Sequence, residues 1–551
     1  MKDVKSIFKH SGAGTGFYGG CSRSGIDIQG SHYGFGNIDI RKDNVSGGEN
    51  MNRETTACIR TEKSRTDGKR CGESRGGQPG YMTVYLALIM GILLSLIMAV
   101  ITAARISTVR MHIECCADMA LDSALAEYHR EMLRQYELFF IDTSYGTGDP
   151  SYHRTEEHVF DYMERNLRPQ EEFKVMAGAK DITGLSAESV TLRQAGVATD
   201  EEGSVLKYHV VQYMKDINGI SLAEELLGFG RAAEKWQGYD MEAKWDAAEA
   251  AMKEEIIHKK RLQDEEWDGE IPETPSDAVQ VTRGEGILGA AAQGMKLSAA
   301  SIAEASRPSV RKLNQGTGLA ADKDKADGLL ANGMLYAYIL QKCGYFGAEK
   351  EGGALAYQVE YILHRNTGDR ENLKKTLREI LLIREAANAT FLFGSGLRSQ
   401  AGVTAKLIAG VLGLPEMADT IETVILFAWA YAESVKDIRI LLKGDKVPVM
   451  KTEGSWNTPF SQLLTYRAHL DSYKSAEGGL SYRDYLGALL FCHGSKDAVK
   501  GLADIMESDI RLTPGNGRFR IDGLIDGMEA CIRVVSRYTG SYEIIRRYEY
   551  E

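Results

Sequence analysis

Two histidines five residues apart, in "HRTEEH" (His153 to His158), are the nearest this chain comes to a metal-ligand motif. A metalloprotease spaces its imidazoles as HExxH or HxxEH so that both reach one ion. A spacing of five turns them about 140° apart on a helix, so the stretch reads as solvated surface. "GTGFYG" (14–19) and "GEGILG" (284–289) both satisfy G-x-G-x-x-G, the spacing with which a strand-to-helix turn cradles a pyrophosphate. The first has neither strand nor helix beside it and the second follows a polar linker, so a turn or close helix packing is expected. "GSGL" (394–397) lacks the glycines of a nucleophile elbow, and no P-loop sequence occurs. Carboxylate runs such as "DEEWD" (264–268) are what an acidic surface produces, and the sequon "NAT" (388–390) falls in an apolar helical pattern. Cysteines stand at 21, 58, 71, 115, 116, 343, 492 and 531, with no CxxC pair among them. Adjacent Cys115 and Cys116 would point about 100° apart on a helix, a poor disulfide geometry, so packed thiols are expected. No catalytic, cofactor-binding or metal-binding residue is assigned, and no cofactor is expected. A site assembled in space rather than in sequence stays open.

The elements that would carry any chemistry are dominated by one stretch. From Tyr81 to Ala104 there is no charge. At about 1.5 Å per residue this run reaches about 36 Å, enough to cross a hydrocarbon core of about 30 Å. A secretory signal is shorter and lies nearer the start; a buried soluble helix would show a polar face, and here only Thr83, Ser95 and Thr102 are polar. A single transmembrane helix is expected. Arg60, Lys63, Arg65, Lys69, Arg70 and Arg75 precede it, against Arg105 and Arg110 beyond it, which places the N-terminus in the cytoplasm and the bulk outside. Residues 1–80 carry 13 Lys and Arg against 9 Asp and Glu, the remainder 53 against 68. The acidic bulk argues against nucleic-acid binding.

With 551 residues, 43% hydrophobic and 26% charged, the chain should form more than one folded unit around this anchor. Residues 1–80 read as a disordered cytoplasmic tail, with Met51 as an alternative start that would shorten it. The helix is expected to run through 105–139 outside the membrane, with Ala117, Leu121, Ala124, Tyr128 and Leu133 as its stripe, until "LFFID" breaks it. "SYGTGDPS" makes a turn and "SVTLRQAGVA" a strand or hairpin, giving a small α+β unit over 140–230. "SLAE" (221–224) fits a capping box. A charged helical arm and linker follow over 231–277, with Trp245, Ala248, Met252 and Ile256 on one side and "WDGEIPETPSD" (267–277) as linker. Residues 278–551 read as a mainly helical domain. Leu373, Leu377, Ile380, Leu381 and Arg384 share a helix face, and Pro415 splits an apolar run into a buried hairpin. A C-terminal strand places Tyr542, Ile544, Tyr548 and Tyr550 on one face. The fold class is thus mainly α with a minor β component.

"GYMTVYLALIMGILLSLIMAVITAARI", "ALDSALAEYHREMLRQYELFFID", "LAYQVEYILHRNTGDRENLKKTLREILLIREAAN", "AWAYAESVKDIRILLKGDKVPVMKTEGSW" and "YRDYLGALLFCHGSKDAV" resemble an uncharacterised family of membrane-anchored proteins from Gram-positive bacteria. That family is associated with Tad-type (Flp) pilus gene sets, and its N-terminal design resembles TadE/TadG-like pseudopilins. The resemblance implies a helix that serves first as anchor and then as packed core of a fibre. Pseudopilin signals put Gly before the cleaved bond and Glu five residues after it. Gly80 holds the first position and Tyr81 would follow the cut, but Tyr85 stands where Glu would be, so a retained anchor is expected.

The reading that emerges is a non-enzymatic, single-pass, extracytoplasmic protein of a Tad-like pilus or secretion apparatus. Its partners would be the lipid bilayer and other proteins of that apparatus, with no nucleic acid. The alternative is an anchored extracellular enzyme, for example a cell-wall hydrolase; a signalling receptor is a third, weakened by the apolar-poor tail.

Overall fold

The structure, a computed structural model, describes residues 79–168, 184–236, 239–263, 275–317, 319, 328–474 and 478–550. The N-terminal tail with "GTGFYG", the "DEEWD" run and most of the 267–277 linker lie outside the described residues; the last linker residues open a helix at Pro275. The chain divides between Thr83 and Val84. Of the first unit only the opening of helix α1 is described, and the account below concerns Val84–Glu551.

In chain order the elements are α1 (Pro79–Leu125), α2 (Arg130–Tyr136), β1 (Ile141–Asp142), α3 (Tyr152–Leu167), β2 (Leu185–Val197), α4 (Asp200–Asp216), α5 (Ile220–Glu234), α6 (Met241–Gln263), α7 (Pro275–Gly284) and α8 (Gly286–Ala291). Then come α9 (Leu329–Lys342), α10 (Gln358–His364), α11 (Asp369–Gly394), α12 (Arg398–Leu412), α13 (Ala418–Leu442), α14 (Tyr482–His493), α15 (Ser495–Arg511), β3 (Leu524–Ser536) and β4 (Gly540–Glu549). Helix predominates, with one small antiparallel sheet, as the periodicity predicts.

Helix α1 changes environment along its length. Its first part is apolar on every side and bare: Leu86, Leu88, Ile92, Leu94, Ile97 and Ile101 are all exposed. It is long and apolar enough to cross a membrane, and among the described residues no other helix is. Past Arg105 a stripe takes over. Val109, Ile113, Cys116, Ala117, Ala120, Leu121 and Ala124 recur at helical spacing and are buried against the sheet and α3. Arg105 stacks its guanidinium over Tyr538 at 3.9 Å, and Arg546 reaches Asp118 at 3.3 Å.

The helix ends at Leu125, not near Phe139. No Gly or Pro marks the stop; tertiary partners impose it. Glu127 accepts hydrogen bonds from Tyr145 (3.0 Å) and Tyr162 (2.6 Å) and lies 2.9 Å from His158. His129 Nδ1 then accepts from the Met132 N–H, capping α2. Of the expected stripe, Ala117, Leu121 and Ala124 are buried, Leu133 is half-buried and Tyr128 is exposed; past the break it is Met132 and Tyr136 that are buried, in a different core.

Strand β3 organises the sheet. It pairs antiparallel with β2 along one edge, with β4 along the other, and with β1 at Leu524–Ile525. Met528, Ala530, Ile532 and Val534 point into the α1 core, and Tyr542, Ile544 and Tyr548 of β4 join them. The small α+β unit is therefore not the contiguous 140–230. Its strands come from both ends of the helical body in sequence, and β2 finds its partner in β3 rather than in a local hairpin.

Helices α4 to α15 share a second, larger core. The stripe Trp245, Met252 and Ile256 is buried there, so α6 belongs to this helical body and is not a separate arm. The SLAE capping box is absent: α5 starts at Ile220 behind Gly219, without a side-chain cap. The hairpin α12–α13 turns at Pro415 as expected, and the α11 face Leu373, Leu377, Ile380 and Arg384 is buried.

Truncating Ile113 tests the clamp between α1 and the sheet. Ile113→Ala should cost about 2–5 kcal/mol of unfolding free energy in urea, while Ile92→Ala on the bare segment should cost almost nothing in detergent. Equal losses would contradict the division of α1 described above.

Candidate functional site

None of the residues singled out for chemistry by spacing is brought to a common site. His153 is exposed beside Glu156 and Glu157, while His158 serves Glu127. Gly284 ends α7 and Gly286 opens α8 at φ +77°, a helix break with no strand before it. Gly394–Leu397 is the turn between α11 and α12. Asn388 of the sequon is fully buried. Cys115, Cys116, Cys343, Cys492 and Cys531 are free thiols. Gly80 and Tyr81 lie in the opening turn of α1, with Tyr85 exposed one turn on. His364 and His493 approach with ring centroids 5.6 Å apart, but their Nε2 atoms meet different partners, Thr376 at 3.0 Å and Glu379 at 2.9 Å. Among the described residues no group of three or more His, Cys, Asp or Glu could hold a metal ion.

What the fold does bring together is a set of buried charges between α11 and α13. Arg384, Glu433, Lys436, Asp437 and Lys451 are at most 4% exposed. Arg384 Nη2 lies 3.0 Å from Asp437 Oδ2, and Lys451 Nζ lies 2.6 Å from both Glu433 Oε1 and Asp437 Oδ1. Asn388 donates to Asp437 and to Ser434, each at 2.9 Å, and Arg384 reaches the Tyr485 hydroxyl at 3.2 Å. Helical periodicity accounts for the geometry: Arg384 and Asn388 are one turn apart on α11, as are Glu433 and Asp437 on α13. Burial works against the Asp437 carboxylate, but Lys451, Arg384 and the Asn388 amide hold it below the usual carboxylate range. Burial likewise opposes the Lys451 ammonium, which Asp437 and Glu433 hold above its ordinary value. Both groups are locked in their charged forms at neutral pH, so the cluster supplies fixed charge rather than a proton to transfer.

The fixed charge holds a loop. Arg384 Nη1 donates to the carbonyls of Pro448 and Val449, each at 3.0 Å, and Lys436 to that of Asn457 at 2.7 Å. The Asn457 N–H returns a bond to Glu433 at 2.9 Å. Both indoles, Trp429 and Trp456, donate to the Thr458 carbonyl, at 2.7 and 2.8 Å. Gly479 is required beside this loop: a Cβ there would come within 2.5 Å of the Val447 carbonyl. Loop 446–460 thus lies on helix side chains that replace the hydrogen bonds a loop normally takes from water.

Two cavities flank it. One, about 310 Å³, is lined by Lys446, Lys451, Lys474, Thr452, Ser455 and Asn457, together with Val447 and Pro448. The other, about 620 Å³ and more open, is lined by Trp429, Trp456, Phe460, Leu397 and Val403, with Gln400 and Glu453 at polar positions. This loop, with its cluster and two cavities, is the candidate site.

Residues 265–536 match a family of unknown function (DUF5702). That span, just under half of the chain, takes in the whole charge cluster, both cavities and β3, and leaves out α1, β2 and β4. No curated protein and no solved structure matches the chain. Sequence reasoning placed Arg384 on a buried face but missed the cluster, because its members lie on separate elements. The only signal was the recurrence of charge inside the apolar α13 pattern, at Glu433, Lys436 and Asp437.

A second buried carboxylate behaves oppositely. Glu360 accepts from the Phe346 N–H at 2.9 Å and the Tyr482 hydroxyl at 2.8 Å, and its Oε2 has no hydrogen-bond partner. Burial outweighs those donors and pushes its carboxyl up to about 7, from an ordinary 4.5.

Two measurements follow. Asp437→Asn leaves Arg384 and Lys451 without their shared counter-charge, so it should cost about 3–5 kcal/mol and open loop 446–460 to limited proteolysis; an unchanged cleavage pattern would mean the cluster does not pin the loop. For Glu360 the folded state holds its proton to higher pH than the unfolded state. Its stabilising contribution is therefore full below the unfolded value and is lost as pH rises through about 7. Glu360→Gln, neutral throughout, should lose less stability than the parent between about pH 5 and pH 9, by up to about 3 kcal/mol. Parallel curves for the two proteins would refute this.

Proposed function

We propose that this chain is a single-pass membrane protein, N-terminus inside and the bulk outside, acting through protein–protein contacts as a structural or assembly component of a Tad-like pilus or secretion apparatus. The observation that carries the reading is the split in α1: a bare, uncharged first part, then a part clamped by its apolar stripe to an antiparallel sheet. Water does not solvate such a surface well, and lipid or neighbouring apolar helices do. The resemblance of the N-terminal stretch to pseudopilins supplies the apparatus.

Helix α12 supports the emphasis on contacts. It turns Ala401, Ala405 and Ala409 inward against α13 and leaves Val403, Leu407 and Val411 exposed. An apolar row facing outward is typical of interaction surfaces. The two cavities beside loop 446–460 bring together lysines and aromatics rather than converging His, Asp or Glu, which favours contact over catalysis.

The test is performed on cells making the full chain. It should stay with the membrane through alkaline carbonate washing, its bulk should be cut by protease added outside intact cells, and cross-linking should recover pilus or platform components. Full-length chain free in the cytosol would end the anchor reading. Membrane retention without any such partner would end the apparatus reading alone.

A further inference from the structure

We propose that the 310 Å³ cavity bounded by Lys446, Lys451 and Lys474 is a binding site for a phosphate group. Among the described residues three lysines and no carboxylate line it, and Thr452, Ser455 and Asn457 add two hydroxyls and an amide. Its volume suits a small phosphorylated molecule or one headgroup of a larger one.

Charge at the mouth supports an anion. Beneath the cavity, Arg384 and Lys451 are matched by Glu433 and Asp437, while burial works against the Lys436 ammonium. Lys451 is committed to those carboxylates, so attraction at the mouth falls to Lys446 and Lys474. Both are exposed, and among the described residues neither has a carboxylate within ion-pair distance. Of the described acids nearby, Asp471 is paired with Arg439 and Lys443, Asp445 accepts from Tyr473, and Glu453 lines the other cavity. Two exposed lysines at one cavity mouth, with no carboxylate partner among the described residues, stand out in a chain whose net charge is −11.

The donor type favours phosphate over carboxylate. Ammonium groups are compact charges that approach a tetrahedral oxyanion from several directions, and the hydroxyls of Thr452 and Ser455 can donate to its remaining oxygens. The loop is also prepared for a ligand: Arg384, Lys436, Glu433 and both indoles fix its backbone, so little ordering remains to oppose binding.

Isothermal titration of the full chain in non-ionic detergent, at constant ionic strength, tests the site with four probes. These are inorganic phosphate, glycerol 3-phosphate, dihexanoyl phosphatidylglycerol and, as the zwitterionic control, dihexanoyl phosphatidylcholine. Binding of the first two identifies a free phosphate or phosphomonoester; binding of phosphatidylglycerol alone identifies a lipid headgroup. Either result supports the proposal if Lys446→Ala/Lys474→Ala weakens it about tenfold or more while Lys406→Ala, on the α12 surface, does not. Both substituted lysines are exposed and among the described residues neither pairs with a carboxylate, so the fold should persist, with circular dichroism as the check. No binding of any of the three anionic probes, equal binding of phosphatidylcholine, or undiminished binding in the double variant would overturn it.

Discussion

Strand β3 is paired along both edges, yet only β4 reaches it through a short turn. Its other long neighbour, β2, lies on the far side of the whole helical body in sequence, so Val190 meets Ile532 only after the intervening chain has folded back. Closing so long a loop has an entropic cost that grows slowly with length, but it must be met before the pairing stabilises anything. The helical core therefore sets the terms for the sheet. Once the ends of the loop are held together, the sheet, with α3 beside it, sets the terms for α1, whose stripe from Val109 to Ala124 they cover. The order of dependence runs from helices to sheet to anchor.

Buried carboxylates join these layers. On α15, Asp504 accepts from Ser309 and the Tyr361 hydroxyl, and Asp509 from Tyr136, Gln358 and Lys350. Arg311 spans Glu507 of that helix and Asp522 just before β3, at 2.6 Å to each. A buried carboxylate left alone would be expensive, so each must gather donors, and the donors here sit on loops and neighbouring elements. The acidic face of one helix thereby fixes the segments around 307–314 and 350–358 and the approach to β3. The Arg384–Asp437–Lys451 cluster repeats the device for loop 446–460. In both places charge does for irregular backbone what a ladder of hydrogen bonds does for a strand.

This explains what was legible in the sequence. Local period was enough for the bare helix, the alternating face Tyr542, Ile544 and Tyr548, the α11 stripe and the hairpin at Pro415, because each depends on residues a turn or a pleat apart. The end of α1 was not legible: nothing in Leu125–His129 disfavours helix, and the stop comes from Tyr145, His158 and Tyr162 converging on Glu127. The make-up of the sheet was illegible for the same reason, since β2 alternates well enough to suggest a hairpin and carries no mark of a distant partner. At the candidate site, single charged residues inside apolar helices look like interruptions until the helices are placed side by side.

Around Arg105 the chain passes from one solvent problem to another. Before it, side chains of every orientation are apolar, and no rotation of the helix would hide them from water. After it, only one face is apolar, and that face is spent on Ile532, Val534 and their neighbours. Arg105 over the ring of Tyr538 and Arg546 beside Asp118 place polar ties along the stretch where the helix lies on the sheet. A helix held in this way cannot turn about its axis without uncovering Ile113 and Leu121, so the direction in which the bare segment leaves the sheet is fixed by packing rather than by a flexible joint. Any contact made by the bare segment, with lipid or with a neighbouring helix, is therefore rigidly coupled through α1 to β3.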